Sequence, residues 1–164
     1  IEELVLAHGT TLDVDRERYA DASPTSYDPE AGAAFLANAK NVVMAMEFVN
    51  ERLVGEIAGP HLWPHGFDIA TEWYSAKQVA HGDSEANAQI AFGWYPGGDG
   101  SYLYVNPWPY EESFADIELA DDVVWNLEGW QGAKLDIPDG GIELRAAAEL
   151  AVAIHDGAGP ALGS

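Results

Sequence analysis

The chain contains no cysteine, so disulfides, a thiolate nucleophile and zinc–thiolate sites are all excluded, and cysteine usage cannot indicate a redox compartment. Basic residues are scarce. Seven Lys plus Arg stand against 28 Asp plus Glu, a formal net charge of -21, and the only lysines are Lys40, Lys77 and Lys134. A field of that sign repels nucleic-acid phosphates and anionic lipid head groups, so neither is expected as a partner. No apolar run approaches the length that spans a bilayer, and no basic-then-apolar stretch is present in the sequence, which leads us to expect a soluble, cytoplasmic protein. None of the few serines sits in a Gly-x-Ser-x-Gly elbow, so a serine hydrolase is unsupported.

What is present is enough for a folded domain. A length of 164 residues suits one hydrophobic core without a covalent or metal staple, and six Trp, seven Tyr and five Phe supply bulky material for it. The carboxylates admit two roles: a solvated surface adapted to concentrated salt, where screening removes their mutual repulsion, or clusters that hold cations such as calcium. Their scatter through every part of the chain favours the first. Asp13-Val14-Asp15-Arg16-Glu17 opens like a calcium loop but places arginines at 16 and 18 and lacks the turn glycine. The reading is a halophile's protein, and its unfolding temperature is expected to rise steeply with molar KCl; a flat response would contradict it.

Local patterns divide the chain. Ile1 to His8 looks helical and ends at Gly9, and an irregular aspartate-rich stretch continues to Tyr27. Because the chain starts inside a helix, the expectation is the C-terminal part of a longer protein with a further N-terminal domain. Asp28 is a good N-cap and Pro29 a good first helical residue. Phe35, Ala39, Val42, Met46, Val49 and Leu53 then recur at steps of four and three, predicting a long amphipathic helix that Gly55 and Gly59-Pro60 terminate.

Beyond it the period becomes two. Phe67, Ile69, Thr71 and Trp73 fall on one face of a strand, and Asp68, Ala70, Glu72 and Tyr74 on the other. Residues 88–95 and 101–106 predict two more strands, joined by the glycine-rich 96–100 loop, and 123–125 and 133–137 each suggest a short one. A second helix is expected over 142–155, with 158–164 as a loose tail. The fold class is therefore α+β: an antiparallel meander with a long helix and a C-terminal helix packed on one face.

Two constellations could carry chemistry. His61, His65 and Asp68 could ligate a divalent transition metal, with Glu72 as base. The two histidines lie about 13 Å apart if fully extended, so chelation needs the Pro64 turn to fold them together. The plain structural alternative is that His65 and Asp68 fix the loop by hydrogen bonds. Asp68 and Glu72 share a strand face and could form an acid/base pair, provided one is buried beside Trp63 or Tyr104 with a raised pKa. The second constellation is aromatic. Trp63, Trp73, Tyr74, Trp94, Tyr95, Tyr102, Tyr104 and Trp108 concentrate in the sheet, where core packing and cross-strand pairing account for most rings and the remainder, with Trp63, Trp94, Tyr102, Tyr104 and Trp108 as the candidates, could line a groove for a sugar, a peptide or a planar ligand.

The segments Trp63-Pro-His-Gly-Phe-Asp68, Gly93-Trp-Tyr-Pro-Gly97, Tyr102-Leu-Tyr-Val-Asn-Pro-Trp-Pro109 and Gly129-Trp-Gln-Gly-Ala133, in this order, resemble a conserved, uncharacterised prokaryotic domain family. Ser26-Tyr-Asp-Pro-Glu-Ala31 is similar to that family's helix start, and the likeness spans roughly residues 26–154. Gly66 stands where the family usually has histidine. The resemblance implies a fold and a preceding domain but no activity.

Three functional expectations follow. The first is a non-catalytic domain that binds a small molecule or protein through the aromatic sheet face and the segment from Pro60 to Asp68, with no cofactor. The second is the metal-assisted hydrolase just described. The third is a structural half of a larger protein, packed against its N-terminal domain.

Overall fold

The computed structural model describes residues 26, 28–64, 66–97, 100–137 and 143–163. The expected helix at Ile1 to His8, most of the irregular stretch to Tyr27, His65, and the centre of the 96–100 loop lie outside them.

Helix α1 (Pro29–Asn50) starts where the cap predicts: the Asp28 carboxylate accepts from the Glu30 and Ala31 backbone N–H groups at 2.9 and 3.2 Å. Ala39, Val42, Ala45, Met46 and Val49 form its buried stripe. Beyond α1 the chain builds a six-stranded antiparallel sheet from β1 (Glu56–Trp63), β2 (Asp68–His81), β3 (Ser84–Tyr95), β4 (Tyr102–Trp108), β5 (Val123–Asn126) and β6 (Gly132–Asp136), in the order β1-β2-β3-β4-β6-β5. Helix α2 (Leu144–Leu162) closes the fold, and the class is α+β with an open antiparallel sheet.

The helices and one sheet face form a single core. Ile69 and Trp73 of β2, Ile90, Phe92 and Trp94 of β3, Leu103 and Val105 of β4 and Ala133 and Leu135 of β6 are buried with the α1 stripe and with Ala147, Ala151 and Ile154 of α2. Polar ties join the end of α1 and the loop after it to the sheet: Asn50 Nδ2 donates to Thr71 Oγ1 at 3.0 Å, Thr71 Oγ1 donates in turn to the Ala58 carbonyl of β1 at 2.9 Å, and Trp73 Nε1 donates to the Val54 carbonyl at 2.9 Å. Among the described residues no helix is long and apolar enough to cross a membrane.

Three elements differ from expectation. Gly59 and Pro60 do not separate helix from sheet but lie inside β1, where the register slips between Ala58 and His61. An edge strand accommodates proline at such a bulge because one row of its N–H groups has no partner strand. β2 and β3 also extend well past the sheet body, pairing through Gln78↔Asn87 and Ala80↔Glu85 to a turn where Gly82 has φ +60°. Finally, of the expected loose tail at 158–164, the described residues 158–163 are ordered: α2 runs to Leu162, with Ala158 and Leu162 fully buried and Gly163 capping it in the left-handed conformation.

Candidate functional site

The face of the sheet turned away from the helices carries the second alternation. Cross-strand partners share a face, so the pairs Trp63↔Asp68, His61↔Ala70 and Ala58↔Glu72 place all six side chains there. Across β3 and β4 the series continues through Ala70↔Gly93, Glu72↔Ala91, Gly93↔Tyr104 and Tyr95↔Tyr102, and reaches β6 at Tyr104↔Lys134 and Tyr102↔Asp136. Small residues thus occupy the middle of the face, with large rings on either side. The result is a groove of about 380 Å³ lined by Gly66, Asp68, Tyr95, Tyr102, Tyr104, Asn106 and Trp130.

Tyr102 is the centre of the ring cluster. Its centroid lies 5.1 Å from Tyr95, 6.3 Å from Tyr104 and 6.1 Å from Trp130, the last nearly parallel at 12°. Tyr104 crosses the face over Gly93, where an added Cβ would lie 2.1 Å from Tyr104 Cζ, so only glycine lets the ring lie down. That crossing brings the Tyr104 hydroxyl to Asp68, to which it donates at 2.7 Å. Burial, the Asp68 hydrogen bond and the neighbouring carboxylates push the Tyr104 pKa well above the usual phenol range, so the hydroxyl stays a donor. Asp68 is held by its Oδ2, and its Oδ1 lies beside Gly66, where a Cβ would come within 2.9 Å of it.

Glu72 follows Asp68 two positions along the same face of β2, yet it is only 6% exposed. Burial raises its pKa; the His61 imidazole and a hydrogen bond from the Trp63 side chain oppose the rise, and Asp68 adds to it. The folded protein therefore binds this proton more tightly than the unfolded chain, where the carboxyl titrates near 4.5. The penalty for ionising Glu72 is absent below that pH and grows as pH rises through the folded-state value. Glu72→Gln is thus expected to stabilise the protein at neutral pH but not in acid, read as the urea midpoint from about pH 4 to about pH 8. Parallel pH profiles for wild type and variant would refute the assignment.

The expected binding residues separate into distinct places. Tyr102 and Tyr104 line the groove; Trp63, 41% exposed, flanks it opposite Asp68. Trp94 does not belong: it lies on the helix face, 1% exposed, stacked on Phe35 at 5.3 Å with its indole N–H donating to Ser101 Oγ at 2.7 Å. Trp108 is farther along β4, opposite Gln89 and edge-on to His81 at 5.4 Å. Tyr95, one of the rings expected in the sheet, joins the groove, and Asn106 and Trp130 line it without any sequence signal that singles them out. The parity that puts Trp94 in the core puts Tyr95 on the open face, while Trp130 sits between strands, where no periodicity marks it.

His61 and Asp68 share this face, but His65 lies outside the described residues and so does any geometry for the set of three. Among the described residues no group of three His, Asp or Glu side chains gathers as a metal site.

A larger groove of about 750 Å³ runs between α1 and α2, lined by Met44, Phe48, Val152 and neighbouring side chains. Its two arginines are already engaged, Arg52 with the Phe48 carbonyl and ring and Arg145 with Glu149. It offers apolar contact but few groups to orient a ligand, so the smaller groove is the better chemical candidate despite its size.

No family model, no curated protein and no solved structure matches the chain. The motif likeness to an uncharacterised prokaryotic domain therefore brings neither a family nor an activity.

Proposed function

We propose that this is a non-catalytic ligand-binding domain of an acidic, salt-adapted cytoplasmic protein, with the open aromatic face of the sheet as its binding surface. The observation that carries the reading is the cluster of Tyr95, Tyr102, Tyr104 and Trp130 gathered around an anchored Asp68 on the face the helices leave bare. An open antiparallel face is ordinarily polar, and rings kept there beside a few fixed polar groups are the ingredients of a ligand site. Proton–nitrogen correlation spectra distinguish six indole N–H groups, one per tryptophan. A panel of small neutral and cationic ligands is expected to include members that shift the Trp130 indole saturably and lose affinity in Trp130→Ala. Shifts confined to residues of the interhelical groove would overturn the proposal.

A second reading, the metal-assisted hydrolase, draws support from buried Glu72, placed beside His61 and Asp68 with its pKa raised. There His61, His65 and Asp68 would hold the divalent transition metal and Glu72 would act as base. Metal analysis of protein purified without a histidine tag decides it: a stoichiometric transition metal lost in His65→Ala favours the hydrolase, and metal-free protein favours the binding domain.

A further inference from the structure

The groove has a charge imbalance that narrows its ligand. Asp68 accepts from Tyr104, a neutral donor, and among the described residues no lysine or arginine forms an ion pair with it. Glu72 adds a second carboxylate on the same face, two positions along the row. The one lysine nearby, Lys134, is already committed to Asp136 at 2.7 Å. Neutral ligands leave the Asp68 charge uncompensated, and anions are repelled both by it and by the chain's net charge of -21.

The rings point the same way. Aromatic faces carry negative charge density, and several faces meeting at one place favour a cation whose hydration shell is weak. The protein already uses this property at the groove's edge: the Lys134 ammonium sits 4.7 Å from the Tyr102 centroid. Tyr102 and Trp130, nearly parallel, and Tyr104, inclined to Trp130 by 63° at 5.9 Å, form two walls of a partial cage whose polar side is Asp68.

We infer that the groove takes a small organic cation, an alkylated ammonium head group held against Tyr102, Tyr104 and Trp130 with Asp68 as its counter-charge. The inference rests on reading the open face as a binding surface and adds the ligand class to it. A sugar stacks on the same rings but gains nothing from the charge of Asp68, and that difference is what an experiment can read.

The test uses three probes on the intact chain: choline, its uncharged isostere 3,3-dimethylbutan-1-ol, and methyl glucoside. Binding is followed at the Trp130 indole N–H. Choline is expected to saturate, the isostere to bind at least about tenfold more weakly, and Asp68→Asn, which keeps an acceptor for Tyr104, to weaken choline by about tenfold while leaving the isostere unchanged. Equal binding of choline and isostere, or saturation by methyl glucoside alone, overturns the cation assignment while leaving the binding surface in place. If none of the probes moves the resonance, the cation assignment fails, and the broader ligand panel judges the surface separately. Shifts spread evenly over the acidic surface, unaffected by Asp68→Asn, also overturn it, because they report counter-ion condensation.

Discussion

Trp94→Ala is expected to lower the unfolding free energy by about 3–5 kcal/mol, whereas Trp130→Ala costs less than about 2 kcal/mol. Both tryptophans belong to the same sheet, and the difference follows from which face each occupies. Trp94 fills the space between β3 and α1 against Phe35, and its removal leaves a cavity that the surrounding helices and strands cannot collapse into. It also strips Ser101 Oγ of its indole donor. Trp130 is half-buried on the open face, so water takes its place when it is truncated. Urea unfolding of the two variants measures this directly. Equal losses would mean that the two sheet faces have been assigned wrongly, and the binding surface with them.

Leu162→Ala is expected to cost about 2–5 kcal/mol, an effect that a loose tail cannot produce. Leu162 and Ala158 are fully buried in the last turns of α2. Lys77 Nζ donates to the Ala161 carbonyl at 2.8 Å, tying that end to β2. Gly157 lies where a Cβ would come within 2.7 Å of Ile117 Cδ1, so the helix is pressed against the segment that follows β4. A loss below about 0.5 kcal/mol, typical of an exposed terminal residue, would show that the end of α2 does not pack.

These two residues also mark how far the sequence could be read. Helix α1 was legible because its cap and stripe agree: Asp28 caps it as its side chain predicts, and Ala39, Val42, Met46 and Val49 are buried as their spacing predicts. The alternation of β2 separated Ile69 and Trp73 from Asp68 and Glu72 correctly, and with it the two faces of the sheet. The end of α2 is not legible in the sequence because Gly157 and Pro160 are helix breakers by local propensity. In the fold, Gly157 is the residue small enough for the Ile117 contact, and the helix continues past Pro160, which removes one N–H from its ladder, because the burial of Ala158 and Leu162 offsets that loss. β1 is hidden for a similar reason, since Gly59 and Pro60 interrupt the alternation at a bulge that an edge strand tolerates.

The site was partly legible. Asp68, Tyr102 and Tyr104 were singled out and meet in one groove, yet the hydrogen bond that joins Asp68 to Tyr104 spans 36 residues and depends on the ring lying over Gly93. No local pattern carries that information. Aromatic identity alone points to Trp94, but its parity, in phase with Ile90 and Phe92, assigns it to the core. Trp130 was visible only as part of the Gly129-Trp-Gln-Gly motif, and its approach to Tyr102 is a product of β4 pairing with β6.

The claim on which the functional account depends is that ligands meet this protein on the bare sheet face and not between its helices. Paramagnetic broadening of backbone amides by a cationic nitroxide probes both surfaces at once. Saturable broadening is expected to centre on Tyr95, Tyr102, Tyr104 and Trp130 and to diminish in Asp68→Asn. Broadening centred on Met44, Phe48 and Val152 and indifferent to Asp68 would contradict it.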